Sequence, residues 1–412
     1  MKNLLRLSKL TFLLFIGFSI QSCSDDDDNV TTPTGLLNIV EIAMDNPELS
    51  NLVAALSVAD GNLVDVLSGG EFTVLAPTNE AFETFLTANG FMSLSEVPTD
   101  ILSNILLNHV VTGTVTSTNL VDAGSGYSNT NATNAGGDNL SLYFDTSSGV
   151  IFNGVSSVTG PDIEASNGII HVVDEVIGLP TIATFATTND ALSTLVSALS
   201  YADTGSPTVP WIATVSDASA GPFTVFAPVN DAFLNPNTGI LAELNLSGFG
   251  EGAGQLNAAT TDAVLLMHVV GGNIQSSGLP NGAVSTIGGG VIQADNTAFT
   301  LTDPSDRVSN IVTSLVDIQA TNGVVHVIDA VLLPAPPNSI YDIVSNSPDH
   351  TTLKVAIDAC ALDGTLSGAG PFTLFAPTDA AFNLLPAGTV TALLADIPQL
   401  TDILKHHVVG DS

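Results

Sequence analysis

Apolar residues recur at i, i+3, i+4 and i+7 in three places: Leu49, Leu52, Val53 and Leu56; Leu192, Leu195, Val196 and Leu199; and Leu353, Ala356, Ile357 and Cys360. That spacing keeps one helical face apolar, so each stretch predicts an amphipathic helix. A Gly- and Ser-rich connection follows each, and then a shared word: FTVLAPTNEAF from Phe72, FTVFAPVNDAF from Phe223 and FTLFAPTDAAF from Phe372. Alternation such as Phe72 and Val74 predicts a strand that Pro77 ends. Thr78 or Asn79 then caps a helix carrying Ala81, Phe82 and Phe85.

Two more words repeat. LLNHVVTG, LLMHVVGG and LKHHVVGD carry His109, His268 and His407, and NGIIHVVDEVIGLP (Asn167 to Pro180) echoes NGVVHVIDAVLLP (Asn322 to Pro334). The pattern divides the chain into units at 35–180, 181–334 and 335–412, the third expected to be a half-unit without closing strands. Leu179-Pro180-Thr181 leaves little slack, so the first two units are expected to dock. LLPAPPN, with three prolines, predicts a short semi-rigid spacer before the third.

The FTxFAP word with NGxxHVID downstream resembles the signature pair of the fasciclin domain, and the resemblance runs from Leu36 to Ser412. It implies an α+β fold: tandem fasciclin-like units, each a compact β-wedge or sandwich with helices packed along one edge. It also implies an adhesion role. In animal fasciclin-like adhesion proteins a Tyr-His pair is associated with receptor binding. Here Asn108, Met267 or His406 precedes the histidine, so no copy keeps the tyrosine.

The N-terminus adds an address. MKNLLRLSK followed by the apolar run Leu10 to Ile20 reads as a signal peptide, too short to span a bilayer. Ile20-Gln21-Ser22-Cys23 resembles a bacterial lipobox, which implies cleavage after residue 22 and acylation of Cys23. SDDDDNVTTPTG then reads as an unstructured acidic tether over 23–34. An acidic stretch at that place also resembles the surface-export signal of Bacteroidetes lipoproteins, implying a lipid anchor in the outer membrane with the protein facing the cell exterior.

Charge narrows the partners. Six Lys and Arg face 41 Asp and Glu, a net of −35. No basic patch exists to neutralise nucleic-acid phosphates or to hold anionic headgroups, so contact with a membrane is expected only through the anchor. Weak association with divalent cations remains compatible with the acidity.

Candidate chemistry is thin. His171 with Asp174, and His326 with Asp329, are three apart in predicted strands, so each pair points to opposite faces and forms no dyad. His171 and His326 read as core histidines. Asn167-Gly168 and Asn322-Gly323 read as tight turns. Cys360, on an apolar stripe, reads as packing. His406-His407 lacks the spacing of a helical zinc site, and no Ca²⁺ loop, Walker loop or nucleophile elbow is present. The sequence therefore predicts no catalytic residues, metal site or cofactor. The candidate ligand contacts are Asn108, His109, Trp211, Met267, His268 and His407, with Trp211 standing on a Pro-rich insertion; the other reading of the histidines and of Trp211 is packing within their own units. The expected partner is a cell-surface or matrix protein or polysaccharide, and the alternative is a passive spacer.

Overall fold

The computed structural model describes residues 35–335, 338–368 and 371–410. The signal segment, Cys23 and the acidic tether lie outside them, as do Pro336 and Pro337 of the spacer.

In the first unit, described strands β1 (Phe72–Pro77), β2 (Val110–Thr112), β3 (Ser125–Thr133), β4 (Asn139–Asp145), β5 (Ile151–Phe152), β6 (Ser156–Ala165) and β7 (Gly168–Val173) close into a barrel. β1 and β7 run parallel, with Phe72 opposite Gly168, Leu75 opposite His171 and Pro77 opposite Val173. The opening and closing words of the unit are thus one central strand pair. This is why β1 is buried along its whole length and does not alternate with solvent.

The second unit repeats the arrangement in two sheets. One orders β8 (Phe223–Pro228), β9 (Val269–Gly271), β14 (Ile318–Ala320) and β15 (Gly323–Ile328) as β14-β15-β8-β9, and β8 and β15 again run parallel. The other holds β10 (Gly282–Ser285), β11 (Val291–Asp295), β12 (Thr300–Thr302) and β13 (Val308–Asn310) in sequence order. In the third unit, among the described residues, β16 (Phe372–Leu374) pairs only with β17 (Val408–Gly410).

Each amphipathic helix buries the stripe that the spacing predicts. Leu49, Leu52 and Leu56 are buried, as are Leu192, Leu195 and Leu199, then Leu353, Ala356 and Ile357, with Cys360 half-buried beside them. The shared words also fix where these helices start. Asn79 accepts from the Asn51 amide, Asn230 from the Thr194 amide and Asp379 from the Thr352 amide, each reaching back to a free helix N–H. Thr78 caps its own helix through the Ala81 amide.

The first two units are packed together. Tyr127 on β3 meets Phe185 edge-on at 5.5 Å and accepts a hydrogen bond from Asn189. The Gln319 amide donates to Ser141 on β4 at 2.9 Å, and Gln275 donates to Asp138. Thr321 donates to the carbonyl of Pro180 through both its amide and its hydroxyl. This docking follows from the short join at Pro180. Its residues carry no sequence signal, because each is an ordinary polar or aromatic side chain of a strand or loop.

Candidate functional site

The fold accounts for each of the repeated polar residues. His109 follows the helix Thr99–Leu107 and is 1% exposed. Its Nδ1 donates to the Ile105 carbonyl at 2.8 Å, and its Nε2 accepts the Ile177 amide at 2.9 Å. His268 does the same with Val264 and Leu332, at 2.8 and 2.9 Å. Each imidazole bridges a helix end to the segment after the closing strand. Burial pushes both rings down to about 4, so they are neutral at physiological pH.

Both histidines, which the sequence offers as ligand contacts, are buried with their ring nitrogens engaged, and three more of the candidate residues are buried as well. Asn108 is fully buried and donates to the carbonyls of Ile177 and Gly178. Met267 packs with Phe226, Val270 and Leu332 in the second unit's core. Trp211 is 1% exposed, opens the helix Trp211–Ser216 and donates through Nε1 to Asp262 at 2.8 Å. The Pro-rich insertion folds this tryptophan inward because the buried Asp262 carboxylate gives the indole N–H its partner. His407 differs from the other five: it is half-buried, with Nδ1 donating to Ile403 at 2.9 Å.

The closing-word histidines sit where their apolar stripe puts them. His171 and His326 are completely buried. Nε2 of His171 donates to Val115 at 2.8 Å while Nδ1 accepts the Asp162 amide at 3.2 Å. His326 uses Ile274 and Asp317 identically, at 2.9 and 3.3 Å, and burial lowers its pKa. Asp174 and Asp329 point away and accept from the amides of Ser157 and Asn310.

A carboxylate does approach each ring, from an unexpected direction. Asp162 Oδ1 lies 4.0 Å from His171 Nδ1, and Asp317 Oδ1 lies 3.9 Å from His326 Nδ1. Each aspartate also accepts from the amide and hydroxyl of a serine, Ser117 or Ser276. Serine, aspartate and histidine are thus together twice, but in an order unsuited to nucleophilic catalysis. The serine bonds the aspartate and not the imidazole, and backbone groups occupy both ring nitrogens, so no basic lone pair faces a nucleophile. The Ser117 hydroxyl holds the Asp162 carboxyl below the usual carboxylate range. Both aspartates have positive φ, 58° and 56°, a conformation Asp tolerates better than most residues. A sequence signal existed: each aspartate precedes its histidine by nine residues.

Asn167 and Asn322 have an equivalent role. Asn167 Oδ1 accepts the Ile39 amide and its Nδ2 donates to Leu67 and Gly70, while Asn322 does the same with Ile182, Val215 and Asp217. Among the described residues no cluster of three or more His, Cys, Asp or Glu could hold a metal ion.

A fasciclin-domain family model matches residues 47–180, 190–334 and 348–412. The chain belongs to the fasciclin family. It is 29% identical to the rabbit (Oryctolagus cuniculus) transforming growth factor-beta-induced protein ig-h3, over 93% of this chain and 50% of the relative. The chain therefore spans about half the length of that protein. Human periostin is 25% identical over 82% of this chain and 36% of its own length. Cell surface glycolipoprotein MPB83 of Mycobacterium bovis is 43% identical over 94 residues, 20% of this chain and 41% of the relative. Among solved structures, the domain pair of the insect cell adhesion molecule fasciclin I is similar with a TM-score of 0.42. It is 17% identical, covering 70% of this chain and 98% of that one.

Proposed function

We propose that this fasciclin protein is an adhesion molecule held at the outer surface of a bacterial outer membrane by lipid on Cys23. Its partner would be a cell-surface or matrix protein or polysaccharide. One observation carries the non-catalytic part of this reading: the repeated histidines and asparagines of the first two units are all engaged inside the fold. Interaction is left to the exposed faces. The similarity to a mycobacterial cell surface glycolipoprotein supports the location. Tandem units that each bind weakly gain avidity, typically 10²–10⁴-fold, when several engage one surface. With a net charge of −35, partner surfaces that are cationic or bridged by divalent cations are favoured electrostatically. Of the six contact residues that the sequence suggests, His407 alone keeps solvent access, and it belongs to this proposed surface.

The test is adhesion of cells displaying the whole chain, one unit or the anchor alone, against glycan and matrix arrays. Saturable binding that grows with unit number supports adhesion, and binding no better than the anchor-only control overturns it. The packed pair of units favours a second reading, a rigid spacer, which predicts surface display with blank arrays. Intact mass of the membrane-extracted protein tests acylation at Cys23.

A further inference from the structure

The second unit departs from the first at one point of its core. In the first unit the helix Asn79–Ala88 extends past the shared word, and Phe85 and Leu86 pack onto the interior. The shared words place Pro236 and Asn237 at those two positions of the second unit. Pro236 disfavours helical backbone at Asn235, and the helix stops after Asn230–Leu234. The second unit therefore has no counterpart of those two apolar side chains. It holds a cavity of about 230 Å³, lined almost wholly by apolar groups, among them Phe233, Leu241, Leu246, Phe249, Val264 and Val331. Leu244 and Thr260, both exposed, stand at its mouth.

The rim carries a second, independent peculiarity. Arg307 is the only Lys or Arg between residues 10 and 353. It lies two residues from Ser305, which lines the cavity, and its Nη1 donates to the carbonyl of the lining residue Val331 at 3.4 Å. Its Nη2 meets the Glu243 carboxylate at 2.9 Å, beside lining residue Leu244. The single Lys or Arg of the first two units thus lies beside residues that line the cavity and already holds a carboxylate there.

We propose that this cavity binds a fatty acid, with the hydrocarbon chain inside and the carboxylate on Arg307 in place of Glu243. A dry apolar cavity of about 150 Å³ accepts benzene, so the volume here suits a chain of roughly eight to ten carbons. Guanidinium pairs well with a planar carboxylate, and the strongly negative surroundings disfavour the greater charge of a phosphate monoester. The site is independent of the adhesion reading, and either stands if the other fails.

Calorimetric titration of the purified chain with decanoate, decanol and decyltrimethylammonium tests it. The expected result is one-to-one binding of decanoate, about tenfold tighter than decanol, with the cationic amphiphile weakest. Arg307→Gln brings decanoate down to the affinity of decanol and leaves decanol unchanged. Glu243→Gln, which frees the guanidinium, tightens decanoate several-fold. Leu246→Trp, which fills the cavity, abolishes binding of both while circular dichroism and melting confirm the fold. Absence of saturable decanoate binding overturns the proposal. So does decanoate affinity that neither Arg307→Gln nor Glu243→Gln changes, two substitutions of side chains outside the apolar core clusters.

Discussion

Ile177 and His109 lie 68 residues apart and are joined by a backbone amide that donates to the imidazole Nε2 at 2.9 Å. Leu332 and His268 repeat the bond at the same distance across 64 residues. The histidine is therefore a pin between the helix end before β2 or β9 and the segment after the closing strand. Removing the ring leaves the buried Ile177 or Leu332 amide unpaired, at a cost of about 1–3 kcal/mol, and opens a cavity as well, while the Ile105 and Val264 carbonyls keep the backbone amides of Asn108 and Met267. His109→Ala or His268→Ala is expected to lose about 3 kcal/mol or more, read as a shift in the denaturant midpoint at unchanged slope. A loss below about 1 kcal/mol would mean the bridge does not hold the unit closed.

The same pins set an acid sensitivity. Both rings titrate near 6.5 when unfolded, and burial lowers them to about 4 in the fold. The unfolded chain thus takes up these protons first. Their contribution is complete above about pH 6.5 and is lost as pH falls toward 4, at about 1.4 kcal/mol per pH unit for each ring across that window. Neutralising some of the 41 acids relieves self-repulsion and acts in the opposite direction. The informative measurement is therefore a difference: unfolding free energy against pH for the wild type and for His109→Gln/His268→Gln. The double variant is expected to show the shallower decline between pH 6.5 and 4.

Gly168 begins β7 with φ +144°, and a Cβ there would lie 1.9 Å from the carbonyl oxygen of Phe72. Gly323 begins β15 with φ +151° and the equivalent Cβ 2.0 Å from the Phe223 carbonyl. The glycine of the closing word is needed because the parallel partner strand passes directly over it. Gly168→Ala must push β1 away from β7 and is expected to cost more than about 3 kcal/mol or prevent folding, as overpacking with a strained backbone does. Gly137 provides the control: it also has positive φ, +89°, but open space around it. Gly137→Ala is expected to cost about 1 kcal/mol, the backbone term alone. Urea unfolding of the two variants separates steric from conformational cost.

Much of this architecture is legible in the sequence. The leucine stripes give the helices and their buried faces, and the repeated words give the units. The core position of His171 and His326 follows from the apolar residues beside them. The parallel pairing of β1 with β7 does not, because strands of two words almost a hundred residues apart carry no pairing signal of their own. For the same reason Asn167 and Asn322 read as turn residues, although their side chains tie three segments together. Trp211 reads either as a surface contact or as tucked onto its own unit, and the partner that decides for the second, Asp262, is 51 residues away. The strand at Phe72 starts and ends where the pattern puts it but lacks the expected exposed face, since alternation holds only where one face meets water.

The docking of the first two units yields the last prediction. Tyr127 lies between Tyr143 of its own unit, tilted at 5.1 Å, and Phe185 of the next, edge-on at 5.5 Å, and its hydroxyl is bonded by Asn189. Burial pushes the phenol up to about 12, so it stays a neutral donor and acceptor across the working pH range. Gln319 adds a polar clasp through Ser141 and Asn134. Units sharing such an interface are expected to unfold together, because opening one exposes apolar surface of the other. Scanning calorimetry of the wild type should therefore show a single transition for the first two units. Tyr127→Ala/Gln319→Ala removes the aromatic bridge and the Asn134 bond to the Gln319 side chain, leaving the backbone bond to Ser141, and should split that transition in two. Persistence of one transition in the double variant would place the coupling in what remains, the short join at Pro180 together with the Gln275–Asp138, Thr321–Pro180 and Gln319–Ser141 hydrogen bonds.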